Sequence, residues 1–202
     1  KVREYLARQR RKLEPIVNAD GLGEFIDTRS SLVAQTSLYG YIKTRAGTRF
    51  PDLFENEEFL QSINIAKWQI WAACVSDLAV FSGGLLYREM PDADRIRQVL
   101  QQAIDPLLAR TAQPSEAGED FSTALEKLKI RIAGAPFTDA ATSENAFTVS
   151  PDALVYWAPI VDELKSLDES IVRNSIRFRW QAPRRELREA LQPARVLDSL
   201  DN

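Results

Sequence analysis

Residues 67–88, KWQIWAACVSDLAVFSGGLLYR, hold a single formal charge, Asp77, between Lys67 and Arg88. A stretch of this length and apolarity either crosses a bilayer or fills the centre of a helical protein. Transfer arithmetic separates the two. Seven Leu, Ile, Val or Phe residues between 68 and 87 favour insertion by about −2 to −4 kcal/mol in total, and Asp77 returns about +2.5 to +3.5 kcal/mol. Gln69, Ser76, Ser82 and the Gly83-Gly84 pair oppose insertion further. The sum is close to zero or unfavourable, so no transmembrane helix is expected. The stretch is read as a core helix over about 57–82, stopped by the glycine pair.

The remaining pattern is helical. Residues 2–13 place Val2, Leu6 and Leu13 on one side of a basic segment that Pro15 ends. Ser30 or Ser31 can cap a helix running to about Ala46, with Gly47 as its stop. Met90-Pro91-Asp92 starts another, and Ile96, Val99, Leu100, Ala103, Ile104, Leu107 and Leu108 repeat at three and four. Pro106 is expected to divide that run, with Asp105 capping the second piece. Phe121, Leu125, Leu128 and Ile132 mark the next helix. Residues 134–150 are read as a long loop. Ser150-Pro151-Asp152 begins a long helix bent at Pro159 and ended by Pro183, followed by a short polar helix over 184–192.

Two segments obey a different period. LKIRIA (128–133) and IRFRW (176–180) alternate apolar and basic residues strictly, as strands do. Continuation of the helices that lead into them is the simpler expectation. The chain is therefore expected to be all-α, an irregular helical bundle around the central apolar helix, in one domain over 1–202. The alternative is α+β, with 128–133 and 176–180 forming a small two-stranded element.

Charge is unevenly spread. Residues 1–12 carry a net +5, residues 13–172 a net −11, and residues 173–202 a net +3. An acidic body thus bears two basic ends, which either fold back on it or meet an external anionic surface. The one cysteine, Cys74, cannot form an internal disulfide and favours a reducing compartment. No secretory pattern is visible. Cytoplasmic localisation is expected, with peripheral attachment to anionic membrane through the amphipathic, basic 1–13 segment as an alternative.

The chain has no histidine. That removes the commonest general base and metal ligand, and with it histidine-dependent hydrolase triads. One cysteine cannot build a zinc site. No phosphate-binding glycine motif is present. Glu55, Glu57 and Glu58, or Asp92 and Asp94, could approach Mg²⁺, but acidic residues favour helix starts for their own reasons. Tyr39 and Lys43 match the Tyr-x-x-x-Lys spacing of nucleotide-dependent reductases without the dinucleotide-binding fold that spacing requires. No cofactor or metal is expected, and an enzyme is the least favoured class.

Two features point to sites. Asp77, on the apolar helix, must be paired or protonated if buried, either as a packing contact or as the polar group of a pocket for a lipophilic ligand. RNSIRFRWQAPRRELR (173–188) interleaves arginines with aromatics, which suits an acidic protein groove or single-stranded nucleic acid. The expected function is a non-enzymatic interaction protein: an adaptor, assembly factor or accessory subunit. Its partner, an acidic protein surface or a second copy, would be met by Arg8, Arg10, Arg11, Arg177, Phe178, Arg179, Trp180, Arg184 and Arg185.

Overall fold

Asn18 opens the first helix: its side-chain Oδ1 accepts from the Gly21 amide at 2.9 Å, and α1 (Ala19–Ala46) runs on to Gly47 at φ 57. The computed structural model describes residues 13–111, 114–141 and 146–201. The expected cap at Ser30 or Ser31 is wrong by twelve or thirteen residues. Gly21 and Gly23 lie inside α1, and a Cβ at Gly23 would collide with the Ala103 carbonyl. That glycine lets α1 lie close against α3 (Ala93–Thr111). The basic segment 1–13 lies outside the described residues up to Lys12.

Two short 3-10 turns, Gly47–Arg49 and Pro51–Glu55, lead to Asn56. Its side chain accepts from the Phe59 amide at 2.9 Å and starts α2 (Glu57–Glu89). This is the only helix among the described residues long and apolar enough to cross a membrane, and 89% of its most apolar window is buried against its own chain. The expected stop at Gly83-Gly84 is overturned, since α2 continues to Glu89. Side chains at those positions would strike the Phe137 ring and the Ala140–Ala141 backbone. The glycines form a packing notch, although each costs roughly 1 kcal/mol in helix propensity.

Around α2 lie α3, α4 (Phe121–Ala133), the single turn α5 (Phe137–Ala140), α6 (Val149–Trp157), α7 (Asp162–Arg179), α8 (Gln181–Ala190) and α9 (Pro193–Asp198). The bundle is all-α as expected, and no strand occurs among the described residues. Residues 128–133 and 176–179 are helical, and Trp180 caps the end of α7. Their alternation conceals an i, i+4 pattern: Leu128 and Ile132 are buried with Ile130 exposed, and Ile176 and Trp180 are buried with Phe178 exposed. A period of two and a period of 3.6 coincide over so few residues.

Prolines also behaved differently from expectation. Pro106 sits inside a continuous α3, whose seven periodic apolar residues are all buried. Pro159 separates α6 from α7, and Pro183 lies in the first turn of α8 instead of ending α7. Residues 134–150 are less loop-like than expected. They contain α5 and the start of α6, and they bury Phe137, Ala140, Ala141, Ala146 and Phe147 in the core.

Two ties close the bundle. Ile16 pairs with the end of α8, its amide donating to the Ala190 carbonyl at 2.9 Å and its carbonyl accepting from Gln192 at 3.0 Å. Arg45 on α1 forms an ion pair with Asp168 on α7. Beside it, burial and then the Asp168 carboxylate push the Tyr41 phenol up to about 12. That hydroxyl has no partner within hydrogen-bond geometry among the described residues.

Candidate functional site

Asp77 is fully buried, at 0% exposure, halfway along α2. Its Oδ1 lies 2.6 Å from Nη1 of Arg131 on α4 and accepts from the Val149 amide at 3.2 Å, while Oδ2 accepts from the Ser150 amide at 2.8 Å. Arg131 is itself divided: Nη1 also donates to Ser76 Oγ at 2.9 Å, and Nη2 donates to the Ala146 carbonyl at 2.8 Å. Ser150 Oγ in turn accepts from Trp180 Nε1 at 3.0 Å. Burial pushes the Asp77 carboxyl above its ordinary range, with Arg131 and Ser150 acting the other way. The carboxylate thus joins α4, α6 and, through Ser150, the residue after α7 to the central helix.

Ser150, expected at the start of the helix, lies inside its first turn, and its hydroxyl holds Trp180. Burial also pushes the neighbouring Cys74 thiol well above its ordinary value, with the Asp77 charge adding to the effect. A thiol in such surroundings is chemically quiet.

The arginine-aromatic segment divides between core and surface. Trp180, expected as a contact residue, is buried at 0% exposure, its ring 4.8 Å from that of Phe147. It is a core residue because its indole N–H finds Ser150 and its ring completes the stack with Phe147 and Phe81. Phe178, two residues earlier, points outward at 70% exposure. It ends a stripe on α7 with Leu167 and Ile171, 74% and 70% exposed, spaced four and seven residues apart. Arg177 and Arg185 are exposed, and Arg179 is half-buried. Arg185 approaches Glu189, at 4.0 Å on its own helix.

Arg184 lies over two aromatic rings, 5.5 Å from the centre of Phe81 and 5.4 Å from that of Phe147. Arg188 stacks on the same Phe81 at 5.1 Å. Neither Arg184 nor Arg188 has a carboxylate partner among the described residues. Burial, with the nearby charges of Arg184 and Arg88, lowers the Arg188 guanidinium from its ordinary value. A recess of about 300 Å³ opens beside this group, bordered by Asn174, Arg177, Phe178, Gln181 and Arg184. Sequence reasoning included Arg188 in the 173–188 segment without making it a contact residue, and passed over Arg88; the approach of the two follows from how α8 lies beside the end of α2. Arg8, Arg10 and Arg11 lie outside the described residues.

No group of three or more potential metal ligands occurs among the described residues. Asp92 is occupied as a helix cap, its Oδ1 accepting from the amides of Asp94 and Arg95 at 3.1 Å each. Tyr39 stacks on Phe54. No known family model, curated protein or solved structure matches this chain.

Proposed function

We propose that this is a non-enzymatic helical interaction protein, an adaptor or accessory subunit, that holds an acidic segment of a protein partner on the face formed by the end of α7 and by α8. The observation that carries the reading is the stacking of Arg184 and Arg188 on the Phe81 ring, with the charge of Arg88 near Arg188 and no carboxylate partner for Arg184 or Arg188 among the described residues. Like charges held together repel, and an incoming anionic group relieves that repulsion. Phe178 and the recess beside it supply an aromatic anchor and a pocket for a partner side chain, the usual ingredients of a strong contact. Of the residues named from sequence, Arg177, Phe178, Arg184 and Arg185 remain in the contact face. Trp180 supports it from beneath.

Fluorescence anisotropy with a labelled poly-glutamate peptide tests this. The chain should bind it at low salt, and Arg184→Glu with Arg188→Glu should weaken binding at least tenfold while circular dichroism stays native. Single-stranded DNA is the competing probe. Tighter binding of DNA, with a steep fall of affinity as salt rises, would replace the protein partner with a nucleic acid. Sedimentation across a concentration range shows whether the partner is a second copy.

A further inference from the structure

The side chain of Gln69 is the starting point. It is 4% exposed, and its amide nitrogen meets no acceptor among the described residues. Buried amides are nearly always paired, so an unpaired one calls for a ligand or a role. Gln69 lines a cleft of about 660 Å³ in which α2 forms the floor, through Ala72, Ala73 and Ser76, and α4 and α6 form the walls. The volume lies within the range of small-molecule sites. Leu128, Ala153 and Trp157 make the walls largely apolar.

The charges around the cleft are already answered. Arg131 at one end is committed to Asp77, and Asp152 is paired with Arg173. Asp120 and Lys127, one of each sign, stand at the exposed rim. What remains inside is an uncharged group that both donates and accepts. Turning the amide about its last bond exchanges nitrogen and oxygen, so it can serve a carbonyl or a hydroxyl. An ion seated against it would leave water without a counter-charge.

We infer that this cleft binds an uncharged, mainly apolar small molecule bearing one carbonyl, amide or hydroxyl group, which Gln69 holds. The site lies apart from the arginine face and does not depend on it.

Nile red, an uncharged and fluorescent carbonyl compound, is the probe, titrated into the full chain. Saturable one-to-one binding with a blue-shifted emission is expected. Gln69→Leu, which keeps the volume and removes the amide, should weaken binding by roughly five- to tenfold, the worth of one hydrogen bond. Ala153→Phe should fill the cleft and abolish binding. Phe178→Ser, on the exposed stripe of α7, should leave it unchanged. The inference is overturned if binding is absent or non-saturable, if Gln69→Leu binds as the parent does, or if Phe178→Ser alone removes it. It is also overturned if the anionic dye 8-anilinonaphthalene-1-sulfonate occupies the cleft more tightly than Nile red. Should Ala153→Phe fail to fold by circular dichroism, the Gln69→Leu comparison alone decides.

Discussion

Asp77 and Arg131 stand 2.6 Å apart at a junction where α2, α4, α6 and the residue following α7 converge. Asp77 has no exposed surface, whereas Arg131 keeps about a quarter of its side chain in solvent. Removing the acid therefore strands two backbone amides as well as a guanidinium.

Asp77→Leu is expected to destabilise the fold by about 3–5 kcal/mol, the usual cost of breaking a buried pair from one side. Asp77→Asn should cost less, about 1–3 kcal/mol, since an amide oxygen still accepts from Ser150. Asp77→Leu combined with Arg131→Met should recover much of the loss. Urea unfolding measures all three, and a Leu variant more stable than the parent would show that the junction contributes nothing.

Gly84→Ala sets propensity against packing. In a solvated helix the change would gain about 1 kcal/mol. Here the new methyl group meets the backbone of Ala140 and Ala141, and overpacking costs typically about 1–3 kcal/mol. A lower thermal midpoint is expected; a higher one would mean that α5 can move aside freely.

Phe178 and Trp180 should respond in opposite ways to truncation. Trp180→Ala removes a buried ring and its bond to Ser150, with a loss of about 3–5 kcal/mol. Phe178→Ala should change stability by no more than about 0.5 kcal/mol while weakening peptide binding. Equal stability losses in chemical denaturation would contradict the division into core and face.

Alkaline titration reads the Tyr41 environment. A phenol raised from 10.0 to about 12 in the folded chain supports stability fully below pH 10, and that support is lost as pH climbs through about 12. Absorbance at the tyrosinate band should show a late-ionising component that is missing in Tyr41→Phe. Matching curves for the two proteins would remove the assignment.

The fold class was legible because Asp77, Ser82 and the glycines make membrane insertion unfavourable and leave the centre of a bundle as the outlet for residues 67–88. The boundaries were not legible. Gly83 and Gly84 read as punctuation in one dimension, and only the facing elements show that they, like Gly23, are sites of close approach. The same holds for IRFRW, where burial of Ile176 and Trp180 depends on Phe147 and Ser150 far away in the chain. The arginine face was half legible: composition marked 173–188, but the approach of Arg88 to Arg188 is a product of helix crossing. Gln69 carried no sequence signal, since an unmet amide is defined by its neighbours.

Encasing the central helix has a consequence for the chain's single sulfhydryl. Cys74 lies at that helix's middle with no solvent contact, so a thiol-directed reagent reaches it only when the surrounding helices part. Its rate of alkylation is thus a clock for opening of the whole assembly, built into the molecule without any added label.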